Sequence, residues 1–243
     1  METRSPTAGA LHGIELVIFD FDGVVADSEV LSLGTLRETL ADCGLPMPLE
    51  EVRAQFLGTS LTTISEYIAR AGPRGALDGF AERWQSALYS RLLAELKPMP
   101  AVVPFLDYLK VHGVRHCIAS SSKLDRIRLS LAAMRLEDRF PDVFSAEQVR
   151  NGKPAPDLFL FAAQQIGIRA EACLVIEDSP HGVRGAIAAG MRAFGFVDGA
   201  HLRNIQHTHG NLLLNAGAEF VLKDFAELLP TQSCDSPRVL HNN

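Results

Sequence analysis

The amino-acid sequence predicts an α/β fold, a doubly wound parallel sheet with an inserted all-helical segment. Three observations predict it. Short apolar runs typical of buried strands alternate with amphipathic helical patterns, and most of these patterns stop at a glycine. Such alternation is typical of a parallel sheet covered by helices on both faces. The stretch from 28 to 96 holds helical patterns alone, so we expect it to form a separate helical unit.

The predicted strands follow from continuous apolar runs. The first, Ile14–Asp20, reads IELVIFD, and such a run suits a strand that is buried on both faces. Four further strands of the same character are predicted at Val114–Ser122, Cys173–Ser179, Met191–Val197 and Glu219–Leu222. Helical patterns fall between them at 101–113, 123–136, 155–167 and 181–190. This order predicts strand–helix–strand units with parallel strands.

The helical segment follows the first strand directly. Its amphipathic patterns lie at 28–44, 48–58, 59–72 and 75–96. Pro98 and Pro100 then mark the return to the alternating part of the chain. We therefore expect one domain built from residues 1–27 and 97–243, and an inserted helical domain of residues 28–96.

The composition excludes several classes of protein. The formal net charge of −6 argues against binding to nucleic acid or to anionic membranes, since both need a basic surface. No apolar stretch is long enough to cross a bilayer, so no membrane partner is expected. The four cysteines show no zinc-binding spacing. Free thiols in apolar runs are typical of a reducing compartment, so we expect a cytoplasmic protein. The expected oligomeric state is a monomer.

Polar residues stand where the predicted strands end. Acids follow the first and third strands, serines follow the second, and a lysine lies in a Gly-Lys-Pro turn: Asp20, Asp22, Ser120, Ser121, Lys153, Glu177 and Asp178. In open α/β sheets, ligands bind at the carboxyl ends of the strands. Carboxylates from two strand ends suit Mg²⁺, and a hydroxyl and a lysine suit a phosphoryl group. A spare carboxylate can act as a nucleophile, as in enzymes that form an aspartyl-phosphate.

Four stretches resemble the ordered motifs of the haloacid dehalogenase-like hydrolase superfamily. They are DFDGVVADSE, IASSSK, GKPAPD and VIEDSPHGVRGAIAAGM, and the resemblance extends from Ile14 to about Leu229. The helical segment is similar to the cap domain of subfamily I. The resemblance therefore implies a Rossmann-like catalytic core of residues 1–27 and 97–243 under a helical cap of residues 28–96.

The resemblance also implies catalytic roles at the matching positions. Asp20 would be the nucleophile that becomes phosphorylated. Asp22 would be the general acid and base that protonates the leaving oxygen and then activates water. Ser120 and Lys153 would hold the phosphoryl oxygens, and Lys153 would also offset the charge of Asp20.

The metal ligands implied by the resemblance lie at the same strand ends. Asp178 would bind Mg²⁺ together with Asp20 and the backbone carbonyl of Asp22. Glu177 would be a direct or indirect partner of the metal. The opening aspartates of the first motif are thus explained by their chemistry, since buried carboxylates are costly unless they are paired or bind a metal.

The second aspartate separates the activities found in the superfamily. Dehalogenases and phosphonate-cleaving members lack it, so Asp22 implies cleavage of a P–O bond by a phosphatase or a phosphomutase. Leu61 and Ser32 stand where beta-phosphoglucomutase has an arginine and a histidine. These differences favour the sugar-phosphate phosphatases, of which the 6-phosphogluconate phosphatase type is a neighbour.

We accordingly expect a phosphatase that acts on a small phosphorylated metabolite, a sugar phosphate or sugar-acid phosphate, through an aspartyl-phosphate. A beta-phosphoglucomutase-like phosphomutase is the alternative. A phospho-accepting signalling module is a further one, although such modules carry no helical insertion. The substrate-binding candidates are Ser121 and the cap-loop residues Gly58, Thr59, Ser60 and Thr62.

Two further groups of residues are expected to lie outside the site. His201, His207 and His209 have no acidic or cysteine companion at ligand spacing, so a solvated loop is expected there. Arg126 and Arg128 follow the SSSK stretch and are expected to be exposed charges on a helix. We therefore predict that neither group takes part in the chemistry.

Overall fold

The computed structural model describes residues 9–59 and 61–230. Six parallel strands form one sheet in the order β3-β2-β1-β4-β5-β6. The strands are β1 (Leu16–Phe19), β2 (Arg115–Ser120), β3 (Val143–Ser145), β4 (Cys173–Glu177), β5 (Arg192–Phe196) and β6 (Phe220–Leu222). Five of these six lie within two residues of the strands that the apolar runs predict, and the predicted fold class is confirmed.

Helices connect the strands and cover both faces of the sheet. They are α1 (Glu29–Asp42), α2 (Leu49–Phe56), α3 (Leu61–Ala71), α4 (Phe80–Glu95), α5 (Val102–Val111), α6 (Leu124–Met134), α7 (Asp157–Ile166), α8 (Pro180–Ala188) and α9 (Gln206–Ala216). Among the described residues, no helix is both long and apolar enough to span a membrane. One apolar core lies between the sheet and α5 and α6, and the other lies between the sheet and α7 to α9.

The direction of the chain reverses at β1, and this reversal marks the ligand-binding edge. The chain runs outward from β1 to β2 and β3, then returns to the other side of β1, where β4, β5 and β6 follow. Phe19 lies opposite Ile118 of β2 and Ile176 of β4. Because ligands of open α/β sheets bind at such a reversal, the residues just after β1 and β4 are placed for chemistry.

The helices α1 to α4 surround an apolar cluster of their own. It is formed by Leu33, Leu36, Leu40, Cys43, Val52, Phe56, Ile64, Ile68, Ala76 and Phe80. The chain leaves and rejoins the sheet at one place, where the amide of Asp27 donates to the carbonyl of Lys97 at 3.1 Å. The amide of Met99 likewise donates to the carbonyl of Val25 at 2.9 Å. The segment that holds the four helices therefore begins and ends at neighbouring points beside the sheet.

Two elements lie outside the sequence prediction. The strand β3 has three residues and follows Asp142, so its apolar run is too short to recognise by pattern. The helix α9 was expected to be part of a solvated loop, and this expectation is wrong. Its sequence QHTHGNLLLNA is polar in the first half, and only Gly210 and Leu213 are buried. Packing against α8 and β5, rather than an apolar stripe, stabilises this helix.

Candidate active site

The turn after β1 presents two aspartates at the edge of the sheet. The amide of Asp20 donates to the carbonyl of Ile176 at 2.9 Å, so this residue still follows the β4 ladder. The chain then turns through Gly23, which has a φ of +81°. A side chain there would also collide with Asp178, whose Oδ2 lies 2.1 Å from the position of a Cβ atom. Only glycine satisfies both constraints, and the turn brings Asp20 and Asp22 to the same edge as Asp178.

Three carboxylates meet at the ends of β1 and β4. Asp20, Glu177 and Asp178 each offer an oxygen within 4.8 Å of the others. Burial raises the pKa of Asp20 to about 7, and the neighbouring charges of Glu177 and Asp22 add to this rise although Lys153 opposes it. Crowded carboxylates of this kind are stabilised by a cation that shares them.

The pKa values of the other two acids of the cluster, Glu177 and Asp178, are raised as well. Burial raises the pKa of Glu177, with the charge of Asp178 adding to the effect. Burial and then the charge of Asp20 raise the pKa of Asp178 well above its usual range. The cluster is therefore rich in hard oxygen donors and short of positive charge, and it fits a divalent cation such as Mg²⁺.

Lys153 is the buried cation of the cluster. Its Nζ lies 2.5 Å from Oδ1 of Asp20, 2.7 Å from Oε1 of Glu177 and 2.9 Å from the carbonyl of Ala119. Its side chain is 6% exposed. Burial alone would lower the pKa of Lys153, but the two carboxylates raise it above its usual value. The lysine thus stays charged beside Asp20, and its contact with Ala119 places it next to Ser120.

The three serines at the end of β2 differ in their exposure to solvent. Ser120 is the last residue of β2 and is buried, and its Oγ accepts a hydrogen bond from the amide of Ser122 at 3.1 Å. Ser121 is exposed. Ser122, which is not among the predicted site residues, donates through its Oγ to Oδ2 of Asp22 at 2.5 Å. All three therefore stand at the edge that carries the aspartates.

Asp22 is held by side chains from three parts of the chain. Besides Ser122, the buried Ser28 donates through its Oγ to Oδ1 of Asp22 at 2.5 Å. Arg126 of α6 donates to both carboxylate oxygens, with Nη2–Oδ1 at 2.7 Å and Nη1–Oδ2 at 3.3 Å. The expectation that Arg126 is an exposed helix charge is wrong, since its side chain is 17% exposed. Arg128 is exposed as expected.

Two of the three histidines belong to the site, against the sequence expectation. His201 is buried, and its Nε2 lies 3.4 Å from Oδ2 of Asp178. His209 of α9 donates through Nε2 to the backbone carbonyl of Asp178 at 2.6 Å. His207 is exposed. Both rings support Asp178 because the segment after β5 folds into a turn and a helix over it, and a pattern of spacing along the chain does not reveal this.

Of the cap-loop residues, Gly58 and Thr59 lie between α2 and α3, and Thr62 lies in the first turn of α3. Gly58, Thr59 and Thr62 are exposed, and the Oγ1 of Thr59 donates to the carbonyl of Phe56 at 2.9 Å within the same turn. Ser60 lies outside the described residues. A contact with substrate stays a prediction for these positions. Helix α2 also contacts the segment after β5 through Arg53, whose Nη1 donates to the carbonyl of His201 at 3.3 Å.

Helix α8 begins directly under Glu177, and its close approach yields a prediction. A Cβ atom added at Gly182 would lie 1.7 Å from Oε1 of Glu177. Alanine normally stabilises a helix by about 1 kcal/mol relative to glycine. Here we expect Gly182→Ala to lower the free energy of unfolding by about 1–3 kcal/mol, since the new methyl group displaces a buried carboxylate. Urea denaturation measures it.

The matched control for this variant is Gly152→Ala. A Cβ atom at Gly152 would meet the Cβ of Ala146 at an ordinary 3.8 Å. The control should unfold at the wild-type urea concentration. A Gly182→Ala protein as stable as the control would contradict the tight packing of Glu177 over α8.

The geometry matches a known family. The family model described as haloacid dehalogenase-like hydrolase matches residues 17–196, which include every carboxylate of the cluster. The chain belongs to this family. The family predicted from the four sequence motifs is therefore confirmed, and a hydrolase rather than a signalling module is the class of protein that the motifs indicate.

Curated relatives of this haloacid dehalogenase-like hydrolase include several proteins named as phosphatases. A probable pseudouridine-5'-phosphatase of Drosophila melanogaster is 30% identical over 88% of this chain and 95% of that protein. The fructose-1-phosphate phosphatase YqaB of Escherichia coli is 33% identical over 73% and 93%. The 6-phosphogluconate phosphatase of Escherichia coli is 28% identical over 80% and 87%.

Solved structures of haloacid dehalogenase-like hydrolases share the whole architecture. A family hydrolase from Deinococcus radiodurans, solved with bound phosphate and sodium, superimposes with a TM-score of 0.75. It is 31% identical, and the match covers 89% of this chain and 93% of that one. The core and the inserted helices are therefore both features that this hydrolase shares with solved relatives.

Proposed function

We propose that this chain is a divalent-cation-dependent phosphatase, which transfers the phosphoryl group of a small phosphorylated sugar or sugar acid to Asp20 and then to water. One observation carries the proposal. Asp20 lies against the buried Lys153 at the switch point of the sheet and within a cluster of acids, and Lys153 also contacts the carbonyl of Ala119, the residue before Ser120. The relatives named as phosphatases of fructose 1-phosphate and 6-phosphogluconate support the substrate class.

The first step forms a bond between an oxygen of Asp20 and phosphorus. The bond from phosphorus to the leaving oxygen breaks, and its electron pair stays on that oxygen, which takes a proton from Asp22. Ser120 donates a hydrogen bond to a phosphoryl oxygen, where negative charge must be stabilised. All three N–H groups of Lys153 are engaged within the protein, and the one at Asp20 turns to a phosphoryl oxygen as the new bond forms. The product of this step is an aspartyl-phosphate on Asp20.

The second step returns Asp20 to its starting state. Water attacks phosphorus and gives a proton to the carboxylate of Asp22, while the bond between phosphorus and Asp20 breaks. Asp22 thus serves as an acid and then as a base, and no net proton is consumed by the protein. Phosphate is the product because one water molecule, rather than a second sugar, reaches the intermediate.

The cation would be held by Asp20, Asp178 and the backbone carbonyl of Asp22. Both oxygens of Glu177 already accept hydrogen bonds, from Lys153 at 2.7 Å and from the amide of Ser179 at 2.8 Å. Glu177 therefore suits the role of orienting Lys153 rather than that of a direct ligand. When bound, Mg²⁺ would supply positive charge that offsets the charge of the phosphoryl group.

The helical segment, residues 28–96, would act as a cap on a core of residues 1–27 and 97–243. The adjacent hydrogen bonds from Asp27 to Lys97 and from Met99 to Val25 support a boundary at this place. Closure would exclude bulk water and select the leaving group. Candidates for contact with the substrate are Ser121 and the loop residues Gly58, Thr59, Ser60 and Thr62. A monomer in the cytoplasm stays our prediction.

Phosphate release from a panel of compounds tests the proposal. The panel contains fructose 1-phosphate, 6-phosphogluconate, pseudouridine 5'-phosphate and beta-glucose 1-phosphate, each with Mg²⁺ and with excess EDTA. We expect release that depends on Mg²⁺ and stops with EDTA. Release that EDTA leaves unchanged would remove the metal from the proposal. Conversion of beta-glucose 1-phosphate to glucose 6-phosphate without phosphate release would favour the phosphomutase instead.

A further inference from the structure

Arg126 makes an unusually complete contact with Asp22. Its guanidinium forms a fork on the carboxylate, with Nη2–Oδ1 at 2.7 Å and Nη1–Oδ2 at 3.3 Å. The Nη1 atom also donates to Oγ of Ser122 at 2.5 Å, which in turn donates to the same carboxylate. A planar fork of this kind fixes the plane of a carboxylate as well as its position, which a lysine cannot do.

The position of Arg126 on its helix is constrained rather than adaptable. The next residue, Ile127, is fully buried and anchors α6 against the sheet, while Asp125 and Arg128 on either side are exposed. The Nε atom of Arg126 is buried and has no hydrogen-bond partner among the described residues. A buried unpaired N–H costs about 1–3 kcal/mol. Asp22 and Ser122 therefore hold the guanidinium in place through Nη1 and Nη2, and this arrangement leaves Nε without a hydrogen bond.

The donors to Asp22 come from elements that are far apart in the chain. Ser28 precedes α1, Ser122 follows β2, and Arg126 lies on α6, 104 residues from Asp22. These contacts together restrict the directions that the Asp22 carboxylate can take. A general acid needs such a fixed direction, because a displacement of about 1 Å of a reacting group can cost about 100-fold in rate.

We propose that Arg126 is a positioning residue, which fixes the direction of the carboxyl group of Asp22 for proton transfer to the leaving oxygen. The contact from Nη1 to Oδ2, the longer of the two at 3.3 Å, gives way when Oδ2 carries the proton. The inference rests on the phosphatase function proposed above. In the step concerned, the bond from phosphorus to the leaving oxygen breaks, the electron pair stays on that oxygen, and the proton passes to it from Asp22.

The leaving group distinguishes positioning from a merely structural role. A sugar alkoxide is a poor leaving group and needs the proton, whereas 4-nitrophenolate leaves without one. The ratio kcat/KM reports phosphoryl transfer to Asp20, before the water step that all substrates share. A misplaced Asp22 should therefore slow the sugar phosphate far more than 4-nitrophenyl phosphate. A general loss of folded structure would slow both alike.

The experiment compares Arg126→Met and Arg126→Lys with Arg128→Met, an exposed arginine two residues away on the same helix. We measure kcat/KM with Mg²⁺ for 4-nitrophenyl phosphate and for the best sugar phosphate of the panel. Arg126→Met should lower the value for the sugar phosphate by about 100-fold and change that for the aryl phosphate much less. Arg126→Lys keeps the charge but not the fork, so it should resemble Arg126→Met. Arg128→Met should match wild type for both.

Three results would overturn the inference. They are an equal loss for both substrates in folded Arg126→Lys and Arg126→Met, no loss for either substrate, and a faster turnover of the sugar phosphate. The last would mean that Arg126 holds Asp22 away from the leaving group. Thermal unfolding checks that the variants are folded, and Arg126→Lys retains the charge if the methionine variant does not fold. A wild-type protein that hydrolyses no compound would instead overturn the proposed function, and this inference with it.

Discussion

Asp20→Asn should abolish turnover, with phosphate release at least about 10⁴-fold slower than in wild type. An amide cannot attack phosphorus as a carboxylate does, and no neighbouring acid can replace it, because Asp22 is held by Ser28 and Arg126. Steady-state phosphate release measures the loss. Wild type quenched during turnover should carry one phosphoryl group by mass spectrometry, and the variant should carry none.

The variant should nevertheless be folded. Asparagine has the shape of aspartate, and burial raises the pKa of Asp20 to about 7, so a neutral side chain suits this environment. Its melting temperature without metal should equal or exceed that of wild type. The exposed Asp125 on α6 offers a matched control, and Asp125→Asn should keep full activity. Full activity in Asp20→Asn would contradict the nucleophile assignment.

Lys153→Met should give the largest loss of stability among the variants considered. The lysine neutralises Asp20 at 2.5 Å and Glu177 at 2.7 Å, and its removal leaves two buried carboxylates without their partner. Breaking a buried ion pair in this way costs about 3–5 kcal/mol. Urea denaturation without metal measures it, with the exposed Lys110→Met on α5 as the control. We also expect added Mg²⁺ to restore part of the stability, since it supplies the missing charge.

The destabilisation by Lys153→Met should grow with pH. The folded pKa of Asp20, about 7, lies above its unfolded value, so the folded state binds the proton and its stability falls as pH rises through 7. Burial also raises the pKa of Glu177, while the charge of Lys153 lowers the pKa values of both Glu177 and Asp20. Without the lysine, the variant should therefore lose more at about pH 8 than at about pH 5.5. A loss of about 1 kcal/mol or less at both pH values would contradict the role of Lys153.

The sequence predicts the parts of the fold whose patterns are local. Continuous apolar runs such as that of β1 mark strands covered on both faces, and the structure confirms them to within two residues. The pattern fails where burial comes from tertiary packing alone. The three residues of β3 pair with β2, and the polar start of α9 packs on α8, so neither shows a periodic apolar face.

The candidate site likewise contains residues that a local pattern predicts and residues that only tertiary packing brings together. Strand ends predict where Asp20, Ser120 and Asp178 lie, because parallel strands end at one edge of the sheet. The partners that orient these groups come from distant segments. Arg126 could have been found from its position, since it is a cation in the first turn of the helix that directly follows the serines, and it reaches back to Ser122. His201 offered no such pattern, because its contact with Asp178 depends on the turn after β5.

The paired hydrogen bonds where the chain leaves and rejoins the sheet give the four helices the topology of a single surface loop. Val25 and Asp27 on one side meet Met99 and Lys97 on the other. The entropy of closing a loop grows slowly with its length, by about 0.6 kcal/mol for each doubling. The closure of the sheet therefore depends little on the length of the segment between these four residues. A helical segment of another size should give a folded chimera when spliced between 27 and 97, provided that it keeps Ser28 and the apolar contacts that Leu31, Leu88 and Leu92 make with the core.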